Sequence, residues 1–269
     1  MTAPVPDEKL RLGGMALRNG LLVHGPTHWA AAVRTRGGEI KVASGRKPAL
    51  GGDVTDGVPG VRGVAKLAEA MTVIPLVKRA LPQAQLPFQD ATVAVAMGAT
   101  AAAGMVLRRR TRGIGGEAAL AALSLAPSLI ALRGGELAAY HGVEHKAIAA
   151  YESDTPDAAD AAKEHERCGS HLVTPLLASN LAGALLVRRV LEKPGPLAGA
   201  GVAVASTAAA VEVFAWCERN PASPLTRALR RPGFELQRLI GTREPDEHQL
   251  EVGRAALAEI LRVETQPSV

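Results

Sequence analysis

The amino-acid sequence predicts a mostly α-helical fold: a membrane domain of Ala- and Gly-rich helices, preceded by a small β-rich unit. Three observations lead there. Four apolar runs stand at residues 91–107, 118–132, 172–187 and 196–216. The mean hydropathy of the 269-residue chain is +0.10, on the apolar side of zero. The first 60 residues carry short apolar stretches punctuated by glycine, the pattern of strands and turns.

The elements follow in order. "GGMALRNGLLVHG" and "HWAAAVRTRGGEIKVAS" offer three short strand candidates, with Gly37-Gly38 as a hairpin turn. "KPALGGDVTDGVPGVRG" is rich in Gly, Pro and Asp and reads as loop. Residues 61–82 place Val64, Leu67, Ala68, Met71 and Ile74 on one helical face, interrupted by Lys66, Glu69 and Lys78. This reads as an amphipathic helix lying on an interface. Residues 83–220 form the helical membrane domain. A span needs about 20 residues, with about 17 as a lower bound. By that measure the second and third runs are short, the first is marginal and the fourth is long enough. Basic clusters at Arg108–Arg112 and Arg188-Arg189 close two of the runs, and the positive-inside rule leaves orientation open. Residues 134–171 interrupt the domain with a polar segment. In residues 221–269, Pro245, Asp246 and Glu247 form a helix-start signature, and Leu250, Leu257, Ile260 and Leu261 give the last helix one apolar face.

Composition limits the function classes. The net charge is +5 and the pI about 9.5, but Lys and Arg are scattered and aromatic residues make up only 3%. A base-stacking platform is missing, so no nucleic-acid partner is expected. The basic groups that flank apolar runs fit a bilayer edge, and a multi-pass position in the cell membrane is expected. Cys168 and Cys217 form no CxxC pair. The N-terminal "MTAPVPDEKLRLGG" has no apolar core, so no signal peptide is expected there.

The chemistry concentrates in "YHGVEHKAIAAYE", residues 140–152. His141, Glu144 and His145 form H-x-x-E-H. On a helix these positions share one face. Two imidazoles at i and i+4 chelate a divalent metal such as zinc, and the carboxylate orients or deprotonates a bound water. The alternative is a set of capping or surface histidines. Further ligands are available from His165 and Cys168 in "HERCGSH", or from Glu212 inside the fourth run. Cys168 has a plain alternative as a buried free thiol, and Glu212 as a helix-end carboxylate at the interface. Ser170 and Cys168 beside histidines are a weaker nucleophile pair. "GIGGE" at residues 113–117 lacks the Lys-Ser/Thr of a phosphate loop and reads as a connection. His24 and His28 flank a Gly-Pro turn and read as structural.

Taken together, "YHGVEHKAIAAYE", "RCGS", the "VE" of the fourth run and "PGFELQRLIGTREPDEHQLEV" resemble the YqhQ-like family of bacterial membrane proteins of unknown function. "GGMALRNGLLVHGP", "AVRTRGGEI" and "VRGVAKLAEAM" extend the resemblance over most of the chain. The resemblance implies membrane localisation and a shared polar site drawn from His141, Glu144, His145, Lys146, Arg167, Cys168, Arg243 and Glu244, with Glu212 as the glutamate of the last membrane helix. The chain departs from the family pattern in a shorter segment before the HG-x-EHK motif, in C-G-S for C-G-T and in G-T-R-E-P for T-T-R-E-P. The expected function is a metal-dependent hydrolase with Glu144 as general base and Lys146 or Arg243 stabilising an anion. The alternatives are a non-enzymatic assembly or translocation factor acting on a protein partner, and an ion or metal transporter built on Glu212. The substrate is not legible.

Overall fold

The computed structural model of the chain describes residues 9–49, 58, 60–111, 113–133, 135–191 and 195–265. The N-terminal "MTAPVPDE", most of the expected loop at residues 47–63, and Arg112 lie outside the described residues.

Four strands come first: β1 (Gly13–Leu17), β2 (Gly20–His24), β3 (His28–Arg34) and β4 (Ile40–Arg46). The helices are α1 (Val61–Ala80), α2 (Ala91–Arg110), α3 (Ile114–Ser124), α4 (Ala126–Arg133), α5 (Glu136–Ser153), α6 (Val173–Val190), α7 (Pro196–Arg219), α8 (Pro224–Leu236) and α9 (Glu247–Thr265). A 3-10 turn (Gly169–Leu172) precedes α6 and a π turn (Gln237–Gly241) follows α8.

The fold is thus mostly helical with a small N-terminal sheet, as expected. The sheet is an antiparallel meander in the order β1-β2-β3-β4. It has one strand more than the three expected. The extra hairpin closes at Leu17↔Gly20 over Arg18 and Asn19. Tertiary bonds fix this turn: the Asn19 amide donates to the Arg34 and Gln83 carbonyls, and its Oδ1 accepts the Gln85 N–H. The expected hairpin at Gly37-Gly38 is present, with Gly38 at φ 86°, a conformation glycine adopts without steric cost.

Both faces of the sheet are covered. Leu17, Leu22, Trp29, Ala31 and Val33 point to Val73, Ile74 and Val77 of α1. Ala16, Leu21, Val23, Ala30 and Ala32 point to the other side, against Leu137, Tyr140, Val143 and Ile148 of α5 and Val252, Ala256 and Ile260 of α9. This period-two split puts α5 in a core shared with the sheet and α9. Gly253 permits the close approach, since a Cβ there would stand 2.4 Å from Val143 Cγ1. On α9, Leu250 and Ile260 are buried, as the apolar face predicts. Asp246 caps the helix, with its Oδ1 accepting the Gln249 N–H, so Pro245 lies just before the cap rather than in the first turn. The α1 face differs from expectation: Glu69, Val73 and Val77 turn inward, whereas Leu67 and Met71 are exposed.

Among the described residues, four segments are long and apolar enough to cross a membrane: Ala91–Arg110, Ile114–Arg133, Gly169–Val190 and Leu197–Arg219, of 20 to 23 residues. The runs expected to be short therefore reach full length. Flanking residues with low hydropathy join the helices, including "GIGGE", whose Ile114 to Glu117 make the first turn of α3 instead of a connection. Only 11% of the most apolar window of each segment is buried inside the protein. Val95, Met105, Leu186, Val190, Leu197 and Val204 all stand more than half exposed. Apolar surface on that scale is suited to a lipid bilayer. Glu117 pairs with Arg188 at 2.5 Å, joining α3 to α6.

Candidate metal centre

α5 carries His141, Glu144 and His145 as one stripe. Its backbone is sealed on the stripe's flank by the segment after the π turn. The Arg243 N–H donates to the Ala138 carbonyl, and the Arg243 carbonyl passes so close to Gly142 that a Cβ there would meet it at 2.3 Å.

Each histidine is held by a backbone carbonyl. His141 Nδ1 lies 2.7 Å from the Gly241 oxygen, and His145 Nδ1 lies 2.6 Å from the Lys163 oxygen. A carbonyl only accepts, so each Nδ1 carries a proton, and on a neutral ring Nε2 then presents a lone pair. Metal-binding imidazoles are oriented in this way. The His145 Nε2 is buried and has no hydrogen-bond partner among the described residues. Burial, and then the neighbouring His141, hold this ring neutral, its pKa pushed down to about 2.

Cys168 faces the pair, with Sγ 3.4 Å from His141 Nε2. Ligand atoms of His141, His145 and Cys168 all fall within 4.8 Å of one another. Zn–N and Zn–S bonds at about 2.0–2.3 Å in a tetrahedron put neighbouring ligand atoms roughly 3.5 Å apart, so the spacing fits. The donors are two nitrogens and one sulfur, a set that suits zinc and leaves a fourth position open. Burial pushes the free Cys168 thiol up to about 11. A bound cation would reverse that preference.

Glu144 completes the stripe. One carboxylate oxygen stands 3.9 Å from the Nε2 of both His141 and His145. Burial raises the carboxyl above the usual carboxylate range, with His141 pulling the other way. Room for it is made by Gly14 in β1, where a Cβ would stand 2.7 Å from Glu144 Cγ and Oε1.

The other expected site residues lie outside the three-donor group. His165 lines the same cavity, but both its ring nitrogens are engaged. Nδ1 accepts the Arg167 N–H, which leaves Nε2 to donate to Glu152. Arg167 also pairs with Glu152 and donates to the Leu12 carbonyl. Lys146 is buried and fastens a loop, donating to the Ala159 and Ala161 carbonyls and pairing with Glu244. Arg243 has an exposed side chain beside Gly135. Glu212 accepts the Gly60 N–H at 2.8 Å and is neither in the three-residue group nor along the cavity. Ser170 Oγ accepts from Gln237.

Gln237 and β1 are the contributors that sequence reasoning missed. Fully buried, Gln237 accepts the His165 N–H and donates to the His165 carbonyl and Ser170 Oγ, tying down residues 165–170. Residues 12–16 form one wall of a cavity of about 340 Å³ over the three-donor group.

Residues 136–263, the span from the start of α5 almost to the end of α9, match a family model described as "Protein of unknown function (DUF1385)". That family is uncharacterised. Its match takes in every residue of the three-donor group, Glu144 and the π turn, and leaves out the sheet and α1 to α4. No curated protein and no solved structure matches the chain.

Proposed function

We propose that this protein is a multi-pass membrane protein whose His141, His145 and Cys168 bind one divalent cation, zinc by donor chemistry, and that it works as a metal-dependent hydrolase. One observation carries the reading. Two imidazoles, each fixed by a carbonyl at Nδ1, turn bare Nε2 atoms toward one thiol, with a buried carboxylate beside them.

The cation would supply Lewis acidity and lower the pKa of a water in the fourth position. Glu144, held protonation-prone by burial, takes a proton from a nucleophile and returns it to a leaving group, the role its distance from both ligands permits. The remaining polar residues position this set. The resemblance of the motifs to the YqhQ-like membrane proteins supports the membrane assignment.

A second reading is a non-enzymatic assembly factor. Its support is the completeness of the network around Gln237, Arg167 and Lys146, which reads as a fastening of chain segments. Metal analysis of the purified full-length protein decides between them. One equivalent of zinc per chain, lost in His141→Ala and Cys168→Ala but kept in Glu144→Gln, is the expected result. No metal in the wild type, with unchanged thermal stability in His141→Ala, overturns the metal centre.

A further inference from the structure

The cavity over the three donors has a mixed lining with a large apolar share. Its lining includes Leu12, Met15, Pro87, Leu132, Leu137 and Ile148 alongside His141, Glu144 and Cys168. The place of these residues in the chain matters more than their number. Leu132 is in the last turn of the membrane-capable segment Ile114–Arg133. Gly169 and Ser170, also in the lining, begin the segment Gly169–Val190. Pro87 stands four residues before the start of Ala91–Arg110. Three segments with apolar, outward-exposed surfaces therefore end at the rim of one cavity. The about 340 Å³ of space is in the range of small-ligand pockets.

We infer that the cavity takes an amphiphile: an acyl compound whose carbonyl reaches the three-donor group and whose alkyl chain lies among Leu12, Met15, Leu132 and Ile148, entering from the bilayer. This rests on the metal reading above and names the substrate class for it. That apolar lining favours a substrate that carries an alkyl chain, and the three membrane-capable segments that end at the rim would put the lining next to the bilayer edge. Polar and apolar groups divide the work: the nitrogen, sulfur and carboxylate atoms address the head, and the aliphatic wall selects the tail.

The test uses the zinc-loaded full-length protein in lipid nanodiscs and a series of straight-chain hydroxamates from acetyl to decanoyl. The hydroxamate head binds the metal and stands in for the acyl carbonyl. Affinity is expected to rise about fourfold for each added methylene until the cavity is filled. Leu132→Asn flattens this rise and leaves acetohydroxamate affinity unchanged, which also shows that the variant is folded; Leu132→Ala moves the slope in the same direction by less. A flat series in the wild type, or an equal slope in wild type and both variants, overturns the amphiphile while leaving the metal centre in place. A wild type that contains no zinc and binds no member, acetohydroxamate included, sinks the metal reading and the amphiphile with it.

Discussion

His145 donates its Nδ1 hydrogen to the Lys163 carbonyl at 2.6 Å, and its Nε2 is left buried with nothing to bond. Buried polar atoms without a partner are rare, because each forfeits its hydration. A cation in contact with Nε2 would remove that cost, and on the metal reading the same cation would bind Cys168. Zinc is therefore expected to slow alkylation of Cys168, read in a Cys217→Ala chain so that a single thiol reacts. His145→Ala abolishes the protection. Equal rates with and without zinc count against the site.

Gly14 and Glu144 share one space. Gly14→Ala forces a methyl to within 2.7 Å of the Glu144 side chain, a steric insertion that costs about 1–3 kcal/mol. The double variant Gly14→Ala/Glu144→Ala recovers much of that loss, because the clashing atoms are gone. Thermal unfolding of the four proteins gives the coupling, and simple additivity of the two changes disproves the contact.

Gln237→Leu keeps the volume and removes the amide. The His165 N–H and the Ser170 hydroxyl then lose a buried partner, at about 1–3 kcal/mol for each unsatisfied group. The unfolding midpoint falls, and residues 165–170 loosen, so Cys168 in zinc-free protein is alkylated faster. A midpoint equal to wild type indicates that the segment is held by other contacts.

Acid weakens the sheet end of the molecule through His24. Burial, then the charge of Lys47, push its pKa down to about 4 from 6.5. The unfolded chain takes up this proton below about pH 6.5, whereas the folded chain takes it up only below about 4. In that window the unfolded state binds more protons, so stability falls as pH falls. His24→Leu removes this component, and the unfolding midpoint drops less steeply from pH 6.5 to 4 than in the wild type. An unchanged slope shows that His24 is already solvated.

Much of this fold is legible in the sequence because it is written in periodicity. The four apolar runs, the Gly37-Gly38 hairpin and the apolar face of α9 are patterns of side-chain type, and side-chain type sets burial. The i, i+4 spacing of His141 and His145 likewise survives folding intact. What escapes is long-range and carried by the main chain. The anchors of the two histidines are the carbonyls of Gly241 and Lys163, and every residue owns a carbonyl, so no letter marks them. Gly14 matters for the atoms it lacks, and Gln237 for neighbours 66 to 72 residues away. The β1–β2 turn escapes for the same reason, since Asn19 is fixed by Gln83 and Gln85. Helix length is underread because "GIGGE" and "GSHL" scarcely register as apolar yet add turns to their helices.

The Gly241 carbonyl that steadies His141 lies 100 residues farther along the chain. A ribosome makes that carbonyl only after the four membrane-capable segments among the described residues have been synthesised. Until then the His141 ring has no fixed tautomer, and the wall from β1, though made first, has no finished stripe to cover. Completion of the histidine stripe is thus timed by synthesis: on the metal reading proposed above, a half-made chain would lack the anchor that orients His141, and zinc binding would report that the two distant segments have met.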